Sequence, residues 1–215
     1  MYHLTSMYHL TSKYKLTAAV AILIAILSVS GSPESAIKKS TIRWAVQRSS
    51  SLHIAGKTNV AGFGCTFQGY DQMDTITYQE NDDPNQVVPL KGSLQIDINK
   101  FDCHNKYLTS DFRKILKANE HPKLLIRFIA FERIPSFERG KDVLRGWVDI
   151  DLAGVCRRFE ILYGLEKSGA LVQLNSTRSF CFSDFNLTPP KKLGGMIKVK
   201  DDFQIQFKLM MTRVG

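Results

Sequence analysis

Apolar and polar residues alternate with a period of two in one segment after another, and this most constrains the fold. In "TIRWAVQ", Ile42, Trp44 and Val46 share a phase opposite Thr41, Arg43 and Ala45. "SLHI" sets Leu52 and Ile54 against His53, and "LKGSLQIDIN" sets Leu94, Ile96 and Ile98 against Gln95, Asp97 and Asn99. "LLIRFIAF" places Leu124, Ile126 and Phe128 opposite Arg127, and "GWVDIDLAG" places Val148, Ile150 and Leu152 opposite Asp149 and Asp151. The last such run, "DFQIQFKLMM", opposes Phe203, Ile205, Phe207 and Leu209 to Gln204, Gln206 and Lys208. Side chains of a strand point alternately to its two faces, so each run reads as a strand with one dry face and one wet face.

Glycines and turn residues punctuate these runs. Gly56, Gly62 and Gly64 mark bends, and "NDDPN" marks a turn. "RRFEILYG" and "GALVQLNSTRSFCF" read as a hairpin turning at "EKSG", residues 166–169. One short helix is expected, with Ser110 as N-cap, Asp111 in its first turn, Phe112, Ile115 and Leu116 on one face, and Pro122 as its limit. Many amphipathic strands and one helix imply an all-β chain built on an antiparallel sheet. Closing the sheet removes its unpaired edges, and a barrel of about eight strands leaves room for side chains or one slender ligand.

The first residues follow different rules. Lys13 and Lys15 precede the apolar run "LTAAVAILIAILSV", residues 16–29. A membrane-spanning helix needs about 20 apolar residues, and this run is shorter. Small residues follow, so residues 1–30 read as a secretory signal cut after Ser30, residues 31–40 as a linker, and 41–215 as the folded domain. An exported, periplasmic or secreted location follows from the signal.

The charge is +9 over the whole chain, but lysine and arginine are scattered singly along the alternating runs. No basic stripe of the kind that tracks nucleic acid is present, so no nucleic-acid partner is expected. Catalytic signatures are also missing. There is no nucleophile elbow, phosphate loop or dinucleotide fingerprint. Asp82 and Asp83, Asp149 and Asp151, and Asp201 and Asp202 lack the apolar setting that raises a carboxyl pKa for acid catalysis. Cys103 precedes His104, but adjacent strand residues face opposite sides, and no Cys-x-x-Cys or His-x-His spacing occurs. The expectation is no enzyme, no catalytic residue and no metal.

The four cysteines, Cys65, Cys103, Cys156 and Cys181, all lie after the signal. An even number in an oxidising compartment favours two disulfides, with free buried thiols as the alternative. A hairpin turning at residues 166–169 pairs positions that sum to 335 (166 + 169), which sets Cys156 opposite residue 179 and near Cys181.

Four stretches resemble the YceI-like family of exported bacterial proteins. They are "WAVQRSSSLHIAGKTNVAGFGC", "LKGSLQIDINKFDCHNKYLTSDFRKILKANEHPKLLIRF", "GWVDIDLAGVCRRFEI" and "FNLTPPKKLGGMIKVKDDFQIQF", spanning most of residues 44–207. The second is the most specific, running strand, "FDC-x-N", short helix, proline, strand. The resemblance implies a single antiparallel lipocalin-like barrel, with Cys65 and Cys103 on neighbouring strand ends and therefore bridged. Some members hold a polyisoprenoid or an isoprenoid quinone in the lumen. Once the sheet closes, the apolar phase of these strands, Ile96, Ile126, Phe128, Val148, Ile150, Ile205 and Phe207, would line the lumen as a long tube, unless these residues simply fill a core. The expected function is a periplasmic binding or carrier module for an isoprenoid or similar long-chain lipid. It would need no cofactor other than a bound isoprenoid lipid or quinone, its partner being a hydrophobic small molecule, with transient membrane contact allowed. The alternative is an exported structural or stress-response barrel with a filled lumen and a protein partner.

Overall fold

In a computed structural model, residues 40–80 and 83–214 are described. The regions read above as signal and linker, residues 1–30 and 31–40, lie outside them apart from Ser40. Twelve strands form the sheet: β1 (Thr41–Val46), β2 (Ser51–Thr58), β3 (Gly62–Gln68), β4 (Thr75–Gln79), β5 (Val88–Pro89), β6 (Ser93–Asp97), β7 (Lys123–Phe131), β8 (Lys141–Leu152), β9 (Val155–Ser168), β10 (Leu171–Cys181), β11 (Lys191–Lys192) and β12 (Ile197–Val214). Among the described residues one α-helix, α1 (Lys106–Ile115), lies between β6 and β7.

The strand count departs from the expected eight because several strands share a lateral position. The path across the sheet is β3-β2-β12-β10-β9-β8-β7-β5, which has eight positions. The 18-residue β12 pairs along one edge with β2 through Val199–Lys208 and then with β1 through Met211–Val214. Beyond those two lie β3 and β4, again end to end. The outer edge of β7 is likewise divided between β6 and β5. A long strand accepts two short partners in series, which period-two patterning alone cannot distinguish from two separate places in the sheet.

Closure is also a correction: the sheet is not a closed barrel. Only isolated bridges cross the seam, Thr66 to Asp102 and Thr77 to Lys91, in place of a continuous ladder. The Cys65–Cys103 disulfide crosses the seam beside the first of these bridges.

The expected alternation is present in the burial. β1 buries Ile42, Trp44 and Val46, and β8 buries Leu144, Val148, Ile150 and Leu152. These side chains belong to one hydrophobic cluster on the concave face. Trp44 packs edge-on against Tyr78 at 5.2 Å between ring centres, joining β1 to β4. Arg133 and Asp142 close the β7–β8 connection through two hydrogen bonds of 2.7 and 2.6 Å.

The helix begins earlier than expected. Asn105, not Ser110, is the N-cap, and its side-chain oxygen accepts from the backbone N–H groups of Tyr107 and Leu108. Asparagine serves this role as well as serine. Ser110 falls inside the helix, while Phe112 and Leu116 point inward as expected.

Candidate functional site: an apolar cavity beside a split in the wall

The concave face encloses a cavity of about 70 Å³ lined by 23 residues. Nine are phenylalanines, and only Ser176 and Arg178 are neither aliphatic nor aromatic. The wall is built from directly paired strand positions. Ile126 faces Ile150 and Phe128 faces Val148 across β7–β8. Ile205 faces Ile54 and Phe207 faces Leu52 across β12–β2.

Six of the seven residues expected at the lumen, Ile126, Phe128, Val148, Ile150, Ile205 and Phe207, line this cavity. Ile96 does not; it is buried at 2% exposure in the core on β6, and Ile98, just past the end of that strand, reaches the cavity instead. The sequence reading missed the aromatic end. Phe101 and Phe112 come from the connection and helix after β6, and Phe180, Phe182 and Phe185 from the end of β10 and the 3-10 turn beyond it. The phenylalanine-rich "SFCFSDF" was the available signal.

Two long strands part beside this cavity. The β9–β10 ladder runs from Ser168–Leu171 to Gly164–Asn175 and stops. Beyond it β9 continues to pair with β8 as far as Val155, and β10 with β12 as far as Cys181. The 3-10 turn Phe182–Phe185 fills the far part of the gap, where Phe185 packs on Phe159 and Phe180. Nearer the ladder Arg178 spans the split. Its Nη1 donates to the carbonyl of Glu160 on β9, and its guanidinium lies over the rings of Phe159 and Phe180 at 5.4 and 5.5 Å. Ser176, Arg178, Ile205 and Phe207 are only partly buried although their phase points inward, so the lumen is reachable from solvent here.

The cysteines divide into two kinds. Cys65 and Cys103 form the disulfide, with exposures of 0% and 4%. Cys156 and Cys181 are not joined, contrary to the expected pairing. The hairpin turns at Gly169-Ala170, because β9 runs on through Glu166 and Lys167 to Ser168. Leu171 pairs with Ser168, so partners sum to 339 rather than 335, and the ladder has ended well before Cys156. Cys156 instead sits opposite Asp151 on β8, exposed, and Cys181 opposite Asp202 on β12. Burial, with Asp184, Asp201 and Asp202 nearby, pushes the Cys181 thiol pKa up and keeps it protonated.

Two aspartates are held in the charged form. Hydrogen bonds from Arg133 and Arg158 hold Asp142 and Asp149, respectively, below the ordinary carboxylate range. Asp149 faces outward on β8, away from the cavity that its neighbours Val148 and Ile150 line.

These features define a β-sheet protein wrapped around an apolar cavity. Among solved structures it is similar to a polyisoprenoid-binding domain from Saccharophagus degradans implicated in plant cell wall breakdown. The two share 10% identity and a TM-score of 0.56 over 79% of this chain and 97% of the other. It is also similar to Burkholderia cenocepacia BcnA, at 18% identity and a TM-score of 0.53 over 75% of this chain and 95% of the other. A mutant CJ YCEI protein aligns at 11% identity with a TM-score of 0.51, over 74% of this chain and 85% of the other. No protein-family model matches the chain, and no curated protein matches it in sequence. At these identities the likeness is one of fold, and the fold is YceI-like.

Proposed function

We propose that the protein is an exported binding module for a long-chain, isoprenoid-like lipid, which it holds in the apolar cavity and carries without chemical change. The observation that carries this reading is the cavity itself: an almost wholly apolar, phenylalanine-rich slot that solvent reaches beside a split in the wall. Each buried CH₂-sized group gains roughly 0.8 kcal/mol, so one five-carbon isoprene unit gains about 4 kcal/mol. That gain is not specific to a head group, which suits sequestration or transport. Two further observations support the reading. The S. degradans structure of similar fold is described as polyisoprenoid binding. The Cys65–Cys103 bridge suits an oxidising compartment outside the cytoplasm.

The free volume favours a second reading. A water-sized group needs about 10–15 Å³ of such space, so about 70 Å³ holds roughly five groups, close to one isoprene unit. A longer chain enters only if side chains such as Phe207 and Phe63 swing aside. If they do not, the barrel is filled by its own side chains and acts through a protein partner.

Ile150→Trp separates the two readings. Ile150 is 7% exposed and lies on the cavity wall opposite Ile126. The indole would occupy much of the free space without adding charge, at an overpacking cost of about 1–3 kcal/mol. Farnesol binding, read by displacement of a fluorescent apolar dye, is expected to weaken at least tenfold while the protein stays folded. Unchanged farnesol affinity in the variant would remove the cavity as the site. No farnesol binding by the wild type would leave the filled-barrel reading.

A further inference from the structure

The cavity is apolar except at one place, and that place is where β9 and β10 part. Continuing the 339 register past the end of the ladder sets Tyr163 opposite Ser176 and Ile161 opposite Arg178. Tyr163, Ser176 and Arg178 all line the cavity. None of the three side chains has its full set of hydrogen bonds among the described residues. Arg178 makes no ion pair among the described residues, and its Nε is buried without a hydrogen-bond partner. Among the described residues its only hydrogen bond is from Nη1 to the Glu160 carbonyl, while the Glu160 carboxylate is turned to Arg145. The Tyr163 residue is 3% exposed, and its hydroxyl has no hydrogen-bond partner among the described residues. Burial raises the Tyr163 pKa, so the group stays a phenol that can donate. The Ser176 hydroxyl is likewise unpartnered among the described residues.

A charged residue on the inward phase of a strand is costly unless something answers it. On β10 the inward series reads Val172, Leu174, Ser176, Arg178, Phe180. The rings of Phe159 and Phe180 hold the guanidinium plane in place but accept none of its N–H groups. Arginine presents N–H donors in a fixed fork that matches a carboxylate or a phosphate.

We infer that the split between β9 and β10 is a head-group site, in which Arg178, assisted by Tyr163 and Ser176, receives the anionic phosphate or carboxylate of an amphiphile whose tail lies in the cavity. This rests on the lipid-binding reading above and adds to it the class of ligand: an acidic amphiphile in preference to a neutral prenol or hydrocarbon. The entrance and the head-group site would then coincide, so a ligand enters tail first and is held at the wall.

The test measures binding of farnesyl phosphate, farnesol and inorganic phosphate to the full chain, by dye displacement in low salt. Wild type is expected to bind farnesyl phosphate at least tenfold more tightly than farnesol, and inorganic phosphate in equal amount should displace neither. Arg178→Met keeps the length and the contact with the rings but removes the charge. It should lose the phosphate preference, so that its affinities for farnesyl phosphate and farnesol become nearly equal. Tyr163→Phe, which removes one hydroxyl at constant shape, should lower the ratio of farnesyl phosphate to farnesol affinity a few-fold. Equal binding of the two ligands by wild type, or a preference that survives Arg178→Met, overturns the head-group site while leaving the lipid-binding reading intact. Displacement of farnesyl phosphate by inorganic phosphate overturns it in favour of a simple anion site. Failure of both farnesyl ligands to bind overturns this inference and the lipid-binding reading together.

Discussion

Replacing Cys65 and Cys103 together by alanine is expected to lower the unfolding free energy by about 4 kcal/mol. The bridge closes a loop of 38 residues, and the chain-entropy relation gives about that figure for such a loop. It also lies at the seam, where isolated bridges at Thr66–Asp102 and Thr77–Lys91 stand in place of a ladder. The covalent link therefore replaces part of the pairing that a closed barrel would have. For a domain of this size the loss corresponds to about 8–16 °C in melting temperature. Thermal unfolding of the variant, and of the wild type with and without reductant, reads it directly. A loss below about 1 kcal/mol would contradict this role for the bridge. The same protein, digested without reduction, should yield the Cys65–Cys103 linked peptide together with alkylated Cys156 and Cys181. A Cys156–Cys181 linked peptide would contradict the β9–β10 register.

Phe101→Ala is expected to cost about 3–5 kcal/mol. Phe101 is 1% exposed and sits between Phe67 and Phe112, at 5.8 and 5.3 Å between ring centres. It ties β3 to α1 at the end of the cavity, and its truncation leaves a void that rigid neighbours on both sides cannot fill. The urea midpoint should fall with an unchanged slope, since the surface exposed on unfolding is nearly the same. A cost under 1 kcal/mol would mean that α1 closes onto the space, and that the end wall is softer than its packing suggests. Phe101 lies two residues from Cys103, so this loss and that of the disulfide should not add.

The longer alternating strands were legible because each has one face in the core. Ile42, Trp44 and Val46, or Val148, Ile150 and Leu152, declare their phase in any reading of the chain. The same phase put six of the seven expected lumen residues on the cavity wall, since a residue facing the core from mid-strand also faces the lumen. Ile96 shows the limit: phase gives the side of the sheet but not the position along a tapering cavity, whose wall Ile98 reaches instead. What depends on long-range pairing was not legible. Nothing local in β12 states that β2 and β1 share its edge, nor that the seam is left open. The hairpin register failed by two residues on each arm because Glu166 looked like a turn residue, whereas it is a strand residue paired with Lys141 on β8 through a 2.9 Å ion pair. Arg178 was legible in principle as a charge on an apolar phase. Its significance depends on the parting of β9 and β10, which only the fold shows.

The central claim is that the cavity holds a lipid-like chain, and native mass spectrometry of the full protein purified from its own host, without detergent, tests it most directly. The expected result is a protein carrying extra mass that collisional activation releases as a single long-chain lipid, with the same lipid recovered on solvent extraction and depleted in Ile150→Trp. A wild-type protein that flies at its bare mass, yields no extractable lipid and takes up neither farnesol nor farnesyl phosphate would contradict the claim.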